Sequence, residues 1–214
     1  MNDEMLDIYD ESGQHTGAAP RGEVHRCEHW HRTFHCWIYR RDGQRVFLLF
    51  QKRHSAKDTS PDKLDITSAG HLLAGEEPRD GVRELEEELG LSVPYERLHP
   101  IGAVRDVSVE PGIVDKELCH VYAYECNQPL ERYRIQQEEL TGLFWVELEE
   151  AVRLFRGEIP AVRAEGLRWR ADGTASRIVL EAQKADFVAH EESYYRTVFA
   201  AVKRLAAGAE DGAF

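Results

Sequence analysis

The sequence predicts an α/β fold with a helical C-terminal extension, and three observations lead there. The run Val46-Phe47-Leu48-Leu49-Phe50 reads as a buried strand, joined by the turn Arg41-Asp42-Gly43-Gln44 to a strand signal at Trp37-Ile38-Tyr39. A helix is predicted from about residue 80 to 89, stopped by Gly90. Helical spacing returns from about 184 to 205, where Phe187, Tyr194, Val198, Phe199, Val202 and Leu205 recur three, four and seven residues apart.

The other elements follow in order. Residues 1–30 are polar, with a turn at Asp10-Glu11-Ser12-Gly13, and are expected to pack on the domain as an N-terminal segment. Residues 52–63 read as a charged loop and 64–68 as a short strand. Strands are predicted near 101–107 and 117–125, with a short one at Phe144-Trp145-Val146 leading into a helix over 148–155. Ala171-Asp172-Gly173 is a hairpin turn between apolar segments at 167–169 and 178–180. The tail after Ala206 is expected to fray. The expected organisation is an N-terminal segment over 1–30, a main domain over 31–160 and an extension over 161–214.

The chain has 214 residues, enough for an ordinary core without disulfide staples. It carries 27 Lys and Arg against 39 Asp and Glu, a formal charge of −12. Nucleic acids and anionic membranes would be repelled. A small phosphorylated substrate is compatible, because a metal ion inverts the local sign. Cys27, Cys36, Cys119 and Cys126 form no Cys-x-x-Cys pair, which argues against a zinc ribbon or a thioredoxin-type site. The acidic start Met1-Asn2-Asp3-Glu4-Met5 does not read as a signal peptide, so a cytoplasmic location is expected. A homodimer is left open.

The informative segment is residues 70–91. On a helix, Glu84, Glu87 and Glu88 stand at i, i+3 and i+4 and share a face, while Val82, Leu85 and Leu89 occupy another. Each close like-charge pair costs a few tenths of a kcal/mol, roughly. A hard divalent cation such as Mg²⁺ or Mn²⁺ relieves that cost. On its own, a bare Glu-x-x-Glu-Glu reads as a solvated acidic face.

The context goes further. Gly70, Glu76, Arg83, Glu84, Leu85, Glu87, Glu88, Gly90 and Leu91 resemble the Nudix box, with six residues rather than seven between Glu76 and Arg83. The resemblance implies an α/β/α sandwich with a mixed sheet, and divalent-metal hydrolysis of a diphosphate linked to another moiety. It implies that Glu84, Glu87 and Glu88 are metal ligands and catalytic groups. It also implies that the Gly70 carbonyl meets the metal and that Arg83 orients a glutamate.

A second resemblance extends beyond the box. Residues 25–37, 68–71 and 112–119 are similar to the type I isopentenyl-diphosphate isomerases, a branch of the same superfamily. That branch holds a metal with three histidines and two carboxylates, which fall here at or near His25, His31, His71, Asp115 and Glu117. Of these, His31, His71 and Glu117 are carried forward as metal ligands, and Glu117 also as a candidate catalytic carboxylate. On its residues alone, His31 reads first as a hydrogen-bonded, half-buried imidazole, and only the resemblance brings metal ligation level with that. The isomerases need a proton-transferring cysteine directly before the Gly-His pair, and here that residue is Ala69. Hydrolysis is therefore the expected chemistry, with isomerisation and a non-catalytic binding module as the alternatives.

Arg32, Lys52 and Arg53, with Arg21, are candidate phosphate contacts. Trp37, with Trp30 and Tyr39, is a candidate to stack on or line the substrate. A nucleoside diphosphate derivative and a prenyl or other small diphosphate are not separated by the sequence. Glu138 and Glu139 are candidate acids at the pocket rim.

Overall fold

The computed structural model describes residues 4–110 and 113–208, so Gly112 and the tail beyond Gly208 lie outside the described residues. Eleven strands form one sheet. They are β1 (Met5–Tyr9), β2 (His15–Pro20), β3 (Trp30–Asp42), β4 (Arg45–Arg53), β5 (Leu64–Asp65), β6 (Ser68–His71), β7 (His99–Glu110), β8 (Ile113–Glu125), β9 (Leu140–Glu147), β10 (Ala161–Trp169) and β11 (Ala175–Gln183). The helices are α1 (Arg21–Arg26), α2 (Arg83–Leu89), α3 (Leu148–Phe155) and α4 (Glu192–Ala206).

The long strand β3 organises the molecule. It runs parallel to β8 over residues 30–39 and antiparallel to β4 and β6, which makes the sheet mixed. Side chains alternate along a strand. Phe34, Cys36 and Ile38 pack with Leu85 and Leu89 of α2. Trp37 and Tyr39 pack with α3 and with Tyr194, Val198 and Val202 of α4. Helices thus cover both faces, giving the expected α/β/α sandwich.

Several boundaries moved. The polar N-terminus forms β1, β2 and α1, with β1 pairing to β2 and to β3. Its alternation is too short and too polar to show in sequence. The 64–68 strand is two pieces, β5 and β6, on different partners. The helix expected from 184 is a 3₁₀ turn at Lys184–Asp186, and α4 starts only at Glu192. The backbone between is captured in extended form, since the Val188 N–H donates to the Leu64 carbonyl and the Glu191 N–H to Asp106 Oδ1. Among the described residues no helix is long and apolar enough to cross a membrane.

Candidate functional site

Helix α2 is entered by a 3₁₀ turn, Asp80–Val82, and left through Gly90 at φ 62°, a left-handed conformation that glycine adopts without strain. Leu85 and Leu89 anchor it to the sheet, which turns Glu84 and Glu88 inward with them. Glu87 stays out, its side chain 54 % exposed. The helix approaches β6 so closely that a Cβ on Gly70 would lie 2.5 Å from both Glu84 carboxylate oxygens. Glu88 Oε2 accepts the Ala69 N–H at 3.2 Å. Burial raises Glu84 to about 7 and Glu88 to about 8, the latter helped by the Glu84 charge.

Arg83 braces this group. It donates to Glu76 Oε1 at 3.0 Å, to Glu76 Oε2 at 3.1 Å and to the His71 carbonyl at 3.0 Å, and it pairs with Glu84 and Glu87. The Leu73 N–H holds Glu76 Oε2 from the other side at 2.7 Å. The entry loop, one residue short of the box pattern, still delivers Glu76 to Arg83.

A second group lies on the opposite face of the sheet, reached through the next residue of β6. His71 pairs with Thr33 of β3, and Glu117 of β8 pairs with His31, so both join the face of His31 and His35. His25 arrives from α1. The His25, His31 and His71 rings stand 5.1–5.4 Å apart, and His31 Nε2 is 3.4 Å from Asp115 Oδ1. Among the described residues, His25 Nε2, His31 Nε2, His71 Nε2 and Asp115 Oδ1 are buried without a hydrogen-bond partner. Burial, then mutual repulsion, lowers His25 to about 4 and His71 well below the usual imidazole range. His31 is lowered too, chiefly by burial. Neutral imidazoles are the ligand form. His31 Nδ1 lies 3.2 Å from the His29 carbonyl, a contact that keeps its proton there and its Nε2 lone pair free. Asp115 is raised to about 8 by burial and then by the Glu117 charge. Burial opposes the charge on Glu117, but the histidines around it, His35 first, hold it below the usual carboxylate range. Buried lone pairs that converge without partners suit a divalent cation, and so does the acidic pair packed on the Ala69–Gly70 backbone.

Other expected residues are placed differently. Trp37 is fully buried against Phe50, Tyr194 and Tyr195, so it has no face for a ligand. Its position on a central strand puts it in the core. Arg53 is held by Asp65 at 2.7 Å and by the Thr59 carbonyl, fixing the 54–63 loop rather than facing a phosphate. Lys52 donates to the Asp62 carbonyl. Arg32 sits beside the box loop, bonded to the Glu76 carbonyl and 3.6 Å from both Asp7 and Glu77. Glu139 pairs with Lys57. Glu138 lines an open cleft of about 710 Å³ with His54, Gln137, Trp169 and Arg170. None of the candidate metal ligands lines that cleft, so its size says nothing about the chemistry.

Residues 29–169 match the family model described as NUDIX domain. The chain is 41 % identical over 202 residues to an uncharacterized Nudix hydrolase of Clostridium acetobutylicum, covering 94 % of this chain and 98 % of that protein. It is 32 % identical over 155 residues to the isopentenyl-diphosphate Delta-isomerase of Corynebacterium diphtheriae, covering 69 % of this chain and 81 % of that protein. It is 28 % identical over 169 residues to the prenyl-diphosphate phosphatase of Methanosarcina mazei, covering 76 % of this chain and 92 % of that protein.

Proposed function

This chain belongs to the Nudix family of hydrolases, and from that premise we propose that it hydrolyses the diphosphate of a small organic diphosphate with Mg²⁺ or Mn²⁺ as cofactor. The observation that carries the reading is the pair of buried carboxylates, Glu84 packed on the Gly70 backbone and Glu88 on the Ala69 N–H, with their charges unfavourable until a cation meets them. Glu84, Glu87, Glu88 and the Gly70 carbonyl would hold that cation. His31, His71 and Glu117, with His25 and Asp115, would hold another across the sheet. A divalent cation there supplies positive charge against the diphosphate and lowers the pKa of water.

The chain's own residues do the rest. Arg83 keeps Glu84 and Glu87 aimed. A deprotonated glutamate of α2, or Glu117, accepts the proton of the attacking water as the P–O bond to the leaving oxygen breaks. Arg32 stands near enough to the box loop to meet a phosphate if its partners exchange.

For the substrate we favour a prenyl-type diphosphate over a nucleoside diphosphate derivative. The support is the likeness to an isomerase and a phosphatase whose names both carry such a diphosphate. Isomerisation itself is the second reading. Against it, Ala69 stands opposite His35 where the isomerase pattern has a cysteine, and it packs on the apolar core. The test is a screen of prenyl diphosphates and nucleoside diphosphate derivatives for released phosphate, pyrophosphate or mononucleotide, with and without Mg²⁺. Glu87→Gln and Glu88→Gln should each lower turnover at least ~10²-fold in a folded protein. Full activity without divalent cation, or in either variant, would sink the assignment.

A further inference from the structure

We propose that Tyr194 of helix α4 is a positioning residue for Glu117, acting by fixing the tautomer of His35 that points an N–H at that carboxylate. The inference rests on the reading that Glu117 belongs to the reacting centre. It gives helix α4, which lies beyond the family-matched residues 29–169, a direct part in the site.

Trp37 Nε1–H can only donate, and it stands 3.1 Å from the Tyr194 hydroxyl oxygen. That oxygen therefore accepts from Trp37 and must send its own hydrogen elsewhere. Tyr194 is fully buried, so water is not at hand, and the acceptor it meets is His35 Nδ1 at 2.8 Å. A neutral imidazole carries one ring proton. With Nδ1 accepting, that proton is on Nε2, and His35 Nε2 faces Glu117 Oε2 at 3.5 Å. Contacts of this kind are commonly long before ligands bind. The opposite tautomer would set a nitrogen lone pair against the carboxylate and leave the tyrosine hydrogen without an acceptor.

Tyr194 is itself held in register. His190 lies between Asp106 at 2.6 Å and Asp65 at 3.3 Å, and stacks on the Tyr194 ring at 4.6 Å. The Glu191 N–H ties the start of α4 to Asp106 at 2.8 Å. The same direction argument bears on His35, Glu117 and Cys119, whose side chains are close enough to share an ion. A proton on His35 Nε2 makes that nitrogen a donor to Glu117, not a metal ligand.

Nitrogen-15 NMR of the His35 ring in the wild-type protein tests this without a variant. Protonated Nε2 and unprotonated Nδ1 are expected, and the reverse assignment would overturn the proposal. Tyr194→Phe should move His35 toward the other tautomer and lower kcat by ~10–100-fold at unchanged KM, the range for losing an outer partner of a site carboxylate. Unaltered tautomer and kcat would overturn it. If Tyr194→Phe does not fold, His35 variants carry the test. His35→Gln keeps one donor and one acceptor and should recover at least ~10-fold in kcat over His35→Leu. Equal kcat in the two would overturn the proposal. Glu117→Gln is measured beside them. If it turns over at the wild-type rate, the underlying reading of Glu117 fails, a result the ring-nitrogen spectrum separates from failure of the hydrogen-bond chain.

Discussion

Replacing Gly70 by alanine should separate activity from stability. The new Cβ would stand 2.5 Å from Glu84 Oε1 and Oε2, whereas an ordinary contact is 3.4 Å or more. The carboxylate must therefore retreat by roughly 1 Å from the Gly70 backbone. Gly70 shows no left-handed backbone, so alanine fits its dihedrals and restricts the unfolded chain, worth about 0.4–1 kcal/mol in its favour. Against that stands an off-rotamer Glu84, about 0.5–1.5 kcal/mol. The two nearly cancel, and Tm should change little. A misplacement of about 1 Å in a reacting constellation can cost ~10²-fold in rate, and that loss is expected in kcat, with weaker divalent-cation dependence. The assay is the initial rate across a Mg²⁺ titration beside a thermal melt of the same sample. Gly22→Ala on α1, where nothing lies within 4 Å of the added Cβ, is the control. A Gly70→Ala enzyme with wild-type rate and metal dependence would refute the assignment of Glu84. So would one that loses rate only because it melts.

The contribution of the raised carboxylates to the pH dependence has a definite sign. Glu84 at about 7, Glu88 at about 8 and Asp115 at about 8 are all raised, so they stabilise the metal-free fold at low pH. That stabilisation is complete below the unfolded values, 4.5 for the glutamates and 3.8 for Asp115, and is lost as pH rises through 7–8. Added Mn²⁺ should then raise Tm more at pH 8 than at pH 5, and an equal shift at both would count against metal binding by these groups. Anomalous scattering from crystals soaked in Zn²⁺ or Mn²⁺ should place metal among His25, His31 and His71, and His71→Ala should abolish that peak while sparing a site at Glu84 and Glu88. No exchange between isopentenyl and dimethylallyl diphosphate is expected by proton NMR, because Ala69 has no proton to give in a step where general acid–base help is worth ~10²–10⁴-fold. Ala69→Cys alone should not install it, and exchange by the unmodified protein would move the isomerase reading into first place.

Sequence alone determined the parts of this protein that are local. Leu85 and Leu89 against Glu84, Glu87 and Glu88 already describe one helix with an apolar and an acidic face, and Gly90 ends it as expected. Helix α3 begins and ends where its pattern does, and the turns at Gly43 and Gly173 stand where the hairpins needed them. Each follows from neighbours within about one helical turn or one hairpin, where the period of the side chains is itself the interaction. Glu84, Glu87 and Glu88 of α2 looked alike in sequence. Only packing turned Glu84 and Glu88 inward and left Glu87 exposed. Trp37 looked available to a ligand, and only its place on a central strand put it in the core. The histidine centre is further still from local reading, since α1, β3, β6 and β8 meet there only through the register of His31 with Glu117 and of Thr33 with His71. Tyr194 carried no signal beyond an apolar helical spacing, although a buried tyrosine hydroxyl always asks for a partner. That partner lies 159 residues away in the chain. Contacts so distant are decided by the sum of many weak pairings across the sheet, which no window of sequence contains.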